Sequence, residues 1–268
     1  MGKITERLMT VGHSGEVLLW DPEGQNHKKL AELAYTRTPH KDVYCTRLNT
    51  GQDEAEHNFL RRQYICHTIE LHPTDPRTYY ITTNEGSILT CKTREVLGDM
   101  EILPAHCGPV LGMKHSPFTS LVFLSHGTDF TTKIWVKGIN EPVITLRTTL
   151  LSAILCALWS PSHSSCLVIL SKEEFSLWDI SRSILDPMNR EERSEEAYFT
   201  TAAFIKNGTS LHVGMSDGTV TTYRLNDMPH PPYLQINHLH GAFTKMLSEN
   251  KALLKQIDDI LGQVSKDN

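Results

Sequence analysis

The chain has 268 residues, with 26 Lys+Arg against 31 Asp+Glu and a formal net charge of −5, and its mean hydropathy is −0.30. That balance excludes the basic footprint of a nucleic-acid binder, and no apolar run approaches the roughly 20 residues a membrane helix needs. The six cysteines (Cys45, Cys66, Cys91, Cys107, Cys156 and Cys166) show no C-x-x-C spacing, and the N-terminal MGKITERLMTVG lacks the apolar segment of a signal peptide, so the sequence points to a reducing, cytoplasmic-type compartment.

Taken in chain order, the sequence is a series of short strands that repeat. The segments SGEVLLWD, EGSILTCK, DFTTKIWV, EEFSLWDI and DGTVTTYR each end on or near an aromatic or its substitute: Trp20, Cys91, Trp135, Trp178 and Tyr223. The last four anchors lie 44, 43 and 45 residues apart, and the turn pairs His72-Pro73, Ser116-Pro117 and Ser160-Pro161 recur every 44 residues. A period of about 40–45 residues with four short strands per unit is the signature of a WD-repeat β-propeller blade. In the third unit, His106, Asp129 and Trp135 stand where WD blades place a His–Asp–Trp hydrogen-bond network, which makes His106 and Asp129 structural rather than catalytic. Asp217 recurs six residues before Tyr223; Ser14, Glu85 and Lys172 replace that acid in the other units.

Trp20 and Cys91 are 71 residues apart, about 27 too many. The excess lies near 36–62, read as a polar, solvated insertion at one rim, with a partner-binding loop as the sharper alternative. The run Asn189 to Glu196 reads as a charged surface loop, and Asn207-Gly208-Thr209 as a turn. The expected fold is all-β: a WD-repeat β-propeller over 1–236, about five blades in an incomplete ring, the first beginning mid-blade at Arg7–Asp21. Open strand edges then predict that these residues alone are poorly soluble or oligomeric, as a short isoform or the C-terminal portion of a longer chain whose missing blades come from an upstream segment.

After Pro229-His230-Pro231-Pro232 the period changes. Phe243, Met246, Asn250, Leu253, Ile257, Ile260 and Val264 follow alternating steps of three and four, which predicts one amphipathic helix and tail over 237–268. Its stripe (Met246, Asn250, Leu253, Ile257, Ile260, Val264) is the candidate partner-binding surface, with packing on the propeller rim as the plainer reading. Asn250 would be a register-setting polar residue within it.

The stretches NEGSILTCKTR, AHCGPVLGMKHSPFTSLVFLSHGTDFTTKIW and LWSPSHSSCLVILSKEEFSLWDISRSILDPM resemble the last blades of dynein intermediate chains. Specific marks are Cys91 in place of a blade Trp, the S-P-F turn before F-L-S, and W-S-P before L-W-D-I. The ending Met215 to Pro229 looks most like the intermediate chain of inner-arm dynein f of cilia and flagella. The resemblance covers roughly Tyr79 to Pro229 and implies a non-catalytic axonemal subunit. Such a subunit would dock on a dynein heavy-chain tail beside a second intermediate chain and other axonemal proteins. It would support arm assembly, microtubule-based motility and its regulation, with no nucleic acid or membrane partner.

Catalytic signals are weak. Gly12-His13-Ser14-Gly15 lacks the spacing of a nucleophile elbow. His238 and His240 have no partner carboxylate motif, and neither an H-E-x-x-H nor a phosphate-cradling loop occurs. The sequence therefore implies no catalytic residue, no cofactor and no metal. The competing functions are a WD-repeat adaptor of another complex, such as a ubiquitin-ligase substrate receptor, and, third, a propeller hydrolase.

Overall fold

The computed structural model describes residues 8–12, 16–21, 28–37, 43–47, 62–92, 100–148, 150–193 and 195–264, with backbone alone for 28, 30–37, 43–47, 62–63, 206, 263 and 264. They form two compact units, residues 1–104 with 108–110, and residues 105–107 with 111–268.

The first unit holds two sheets. In one, β1 (Leu8–Val11), β2 (Glu16–Asp21), β3 (Lys28–Arg37) and β4 (Val43–Arg47) pair in that order, and β5 (Arg62–Gln63) also pairs with β3. In the other, β6 (Cys66–Leu71), β7 (Thr78–Thr83), β8 (Ser87–Lys92) and β9 (Glu101–Pro104) form an antiparallel meander. The excess near 36–62 is thus more than a solvated loop. β3 extends into it and pairs with β4 from Leu33↔Arg47 to Arg37↔Val43, while Thr36↔Gln63 and Arg37↔Arg62 bring β5 to β3. The cause is local: AELAYTR and VYCTR carry the aromatic and β-branched residues that favour a ladder. Residues 38–42 and 48–61 of that excess lie outside the described residues.

The second unit repeats the meander. β10 (Val110–Ser116), β11 (Thr119–Gly127), β12 (Thr131–Val136) and β13 (Ile144–Arg147) make one sheet, and β14 (Ile154–Trp159), β15 (Cys166–Ser171), β16 (Glu174–Asp179) and β17 (Asn189–Glu192) make the next. β18 (Phe199–Ile205), β19 (Ser210–Met215) and β20 (Val220–Arg224) form a three-stranded sheet. The charged run after Asp186 is therefore partly a strand: Asn189–Glu192 pairs with Leu177–Glu174 as a fully exposed edge, charged as edges that resist aggregation are. Asn207 and Gly208 take φ of 55° and 87° in a tight turn. These repeated antiparallel sheets are WD-repeat β-propeller blades in an all-β chain with C-terminal helices.

The second strand of a blade shows why the sequence folds this way. β7 and β15 are buried at every position, and each has a strand on both sides; β15 also packs on both faces, Leu167 and Ile169 in one apolar cluster and Val168 and Leu170 in another. Their sequences, TYYITT and CLVILS, lack the polar alternation of a solvent-facing strand.

The C-terminal stripe folds as two helices rather than one, α1 (Gln235–Met246) and α2 (Lys251–Val264). The break is built by Leu247 N donating to Phe243 O at 2.9 Å and Asn250 N to Leu247 O at 2.8 Å. The Asn250 carboxamide oxygen then accepts from Leu253 N at 3.2 Å, so Asn250 caps α2. Both helices deliver apolar side chains to one core. Leu239, Ala242 and Phe243 of α1 and Leu253, Ile257 and Leu261 of α2 are buried with Val122, Ile134, Leu146, Leu167, Ile169 and Trp178. His240 Nε2 meets Asp258 Oδ1 at 2.6 Å and ties α1 to α2. A single straight rod could not seat both faces in that core.

Candidate functional site

The site predicted around His106 is assembled from two strands, the turn between them and the loop before β10. Trp135 Nε1 on β12 donates to Ser125 Oγ on β11 at 2.9 Å, and Ser125 Oγ lies 2.8 Å from His106 Nε2. On the other side of the ring, His106 Nδ1 lies 2.8 Å from Asp129 Oδ1. A carboxylate only accepts, so Nδ1 carries the proton, Nε2 accepts from Ser125, and the indole fills the remaining Ser125 lone pair. A neutral imidazole satisfies every partner in this chain. Burial pushes His106 below its ordinary pKa, while the bond to Asp129 pulls upward. For Asp129, burial works upward, but bonds from Thr131, His106 and Cys107 outweigh it and hold the carboxyl below its usual range.

Ser125 is the member the motif reading missed, although a sequence signal exists. Trp20 Nε1 donates to Thr10 Oγ1 at 2.9 Å, so in both blades the hydroxyl stands ten residues before the indole. Strand register explains the interval: Phe123 pairs with Trp135 and Leu8 with Trp20, and the hydroxyl is two residues further along the same face.

The other anchors use different solutions. Trp178, 1% exposed, donates to Ser176 Oγ on its own strand at 2.8 Å. Cys91 is buried, with its thiol 3.9 Å from Leu89 O and 3.7 Å from Met100 Sδ. Tyr223 packs edge-on to Phe175 at 4.8 Å. Asp217 is exposed and braces its own turn through Thr219 N at 2.8 Å and Thr219 Oγ1 at 2.7 Å, bonds that hold its carboxyl below the usual range.

A second polar cluster joins α1 to the fourth blade. Ser165 Oγ lies 2.6 Å from Asp179 Oδ1, 3.2 Å from His163 Nδ1 and 3.2 Å from His238 Nε2. The two imidazoles meet edge-on at 5.0 Å. Gln235 clamps the adjacent turn, accepting from Ser164 N at 2.8 Å and donating to Ser162 O at 2.9 Å. The cluster contains Ser, His and Asp, but its wiring is not that of a nucleophile. The serine proton goes to the carboxylate, both histidines are left to donate to Ser165, and Ser165 is 0% exposed. Among the described residues, no group of three or more His, Cys, Asp or Glu is arranged to hold a metal. His13, Ser14 and Gly15 of the candidate elbow lie outside the described residues.

Of the helix stripe, Leu253 and Ile257 are buried in the chain's own core, with Ile260 partly buried against it. Met246 is half-buried and Asn250 exposed at the break; the Val264 side chain lies outside the described residues. The faces left outward are polar: Lys251, Lys255, Gln256, Asp258 and Asp259 are exposed. The unit's own sheets therefore take the places assigned to a partner at Leu253 and Ile257.

No protein-family model matches the chain. It is 31% identical over 178 residues to human "Dynein axonemal intermediate chain 4", covering 66% of this chain and 20% of that protein. With the Rattus norvegicus protein of the same name it shares 32% identity over 227 residues, 84% of this chain and 28% of the relative. The "Dynein, 70 kDa intermediate chain, flagellar outer arm" of Chlamydomonas reinhardtii is 25% identical over 193 residues, 69% and 33% of the two chains. The matched stretch thus spans about a fifth to a third of these relatives.

Proposed function

The chain is a homologue of the axonemal dynein intermediate chains, and from that premise we propose that it supplies propeller blades to a non-catalytic subunit of an axonemal dynein. In this reading it works in the cytoskeleton of the ciliary or flagellar axoneme. It docks on a heavy-chain tail beside a second intermediate chain and supports arm assembly, motility and its regulation. The observation that carries the reading is the 32% identity over 84% of the chain to an intermediate chain. The site chemistry supports a non-enzymatic role: His106 and Asp129 are engaged inside their blade, and Ser165 is sealed from solvent. The inner-arm assignment is part of the proposal and rests on the resemblance of Met215 to Pro229.

The test is affinity purification of the tagged chain from ciliated cells, with identification of the co-purifying chains. A dynein heavy chain and a second intermediate chain are the expected result, and the heavy chain's identity settles the arm. Recovery of ubiquitin-ligase subunits without dynein chains would overturn the proposal in favour of an adaptor.

A further inference from the structure

The segment between β20 and α1 displays apolar side chains that neither the blades nor the helices use. Tyr233 is 98% exposed and Leu234 51%, directly after Pro229-His230-Pro231-Pro232. Covalent chemistry restricts this segment before any packing is considered. Each proline holds its own φ near −65°, and Met228, His230 and Pro231 each precede a proline and are driven to extended backbone. Residues 228–232 contain no turn or bend, and no peptide bond in the described chain is cis.

Burial along the segment has a period of three. Pro229, Pro232 and Gln235 are half-buried, while the pairs between them, His230 with Pro231 and Tyr233 with Leu234, are exposed. Three residues per turn is the repeat of the polyproline II helix, which residues 229–232 follow for one turn, with Pro229 and Pro232 against the protein and His230 and Pro231 outward, before the chain bends at Tyr233 and Leu234. Leu234, at φ −103° and ψ 86°, ends the segment and begins α1.

Both ends are held. Leu225 N donates to Thr209 O at 3.0 Å, a backbone hydrogen bond links His230 to the His163 imidazole, and Gln235 clamps the turn at Ser162 and Ser164. A segment fixed in this way loses little entropy when something binds it.

We propose that residues 229–234 are a docking segment for a small domain whose groove is lined with aromatic side chains, of the WW class. The argument for that occupant is chemical. Such grooves clasp a preformed proline ridge between rings and derive affinity from apolar contact with a pre-ordered backbone. Here the extended stretch presents His230 and Pro231 outward, and the bend that follows presents Tyr233 and Leu234 directly after them. The edge that an SH3 groove would read, Pro229 and Pro232 three residues apart, is the half-buried one. This surface is independent of the dynein reading and stands or falls separately.

The experiment uses the full chain, titrated against a panel of purified WW and SH3 domains by heteronuclear NMR and calorimetry. At least one WW domain is expected to bind saturably. Pro231→Ala and Tyr233→Ala should each weaken that binding roughly tenfold, the loss of one aromatic or proline contact. Their melting temperatures should match the parent's, because both side chains lie outside the core. Failure of every WW domain overturns the proposal, as does binding that survives the Pro231→Ala/Tyr233→Ala double variant. A panel in which only SH3 domains bind overturns the assignment of His230, Pro231 and Tyr233 as the outward contact side chains.

Discussion

Gly112 and His126 meet so closely that a Cβ added to Gly112 would stand 2.5 Å from His126 Nε2. His126 cannot swing aside, because its Nδ1 lies 2.8 Å from the carbonyl oxygen of Ile154 on β14 and ties the third blade to the fourth. Trp159 Nε1 returns the link from β14, donating to Lys114 O on β10 at 3.3 Å. Gly112→Ala should therefore destabilise the second unit by about 1–3 kcal/mol through overpacking. Urea denaturation would measure it; an unchanged midpoint would show that the ring relocates freely.

The same histidine makes stability depend on pH. Burial pushes His126 down to about 4, with the hydrogen bond to Ile154 O opposing, and burial lowers His106 as well. The unfolded chain, with ordinary imidazoles near 6.5, takes up protons that the folded chain refuses. Stability is thus fully present above about pH 6.5 and declines as pH falls towards about 4. For His126 the loss is on the order of 3 kcal/mol. Denaturation midpoints at pH 7.5, 6 and 5 should fall in that order, and His126→Phe should flatten the slope even if it lowers the plateau.

Ser125 is central to the third blade's network, joining Trp135 to His106. Ser125→Ala leaves an indole N–H and an imidazole nitrogen without their partner and should cost about 1–3 kcal/mol. Trp135→Ala, at a site 1% exposed, should cost about 3–5 kcal/mol through lost burial and a cavity. If Ser125→Ala melts with the parent, water or another group has replaced the hydroxyl.

The helices should stabilise the blades rather than hang from them. Ile257→Ala, at a residue with no exposed surface, should cost about 2–5 kcal/mol. Asn250→Ala, which removes the cap of α2, should cost about 0.5–2 kcal/mol. Thermal melts of the chain read both; a melting curve indifferent to Ile257→Ala would mean that α2 does not hold the seat described.

A spacing of about 44 residues, read from Trp135, Trp178 and the serine-proline turns, was enough to specify the blades. Hairpin meanders are local, and inward and outward side chains alternate along each strand wherever the sheet sits. The apolar periodicity of the C-terminal segment likewise announced helix. Its break was not legible, because the three-and-four spacing runs unbroken from Met246 through Asn250 to Leu253. An asparagine there reads equally well as a polar residue in a stripe and as a cap. Only the core below, which takes Phe243 and Ile257 together, decides between one rod and two helices. Ser125 became part of the network through strand register, and His163 meets His238 from 75 positions away because α1 folds back onto the fourth blade. The first is marked in the sequence by a hydroxyl ten residues before the indole; the second depends on how separate elements pack, and no local pattern of residues records it.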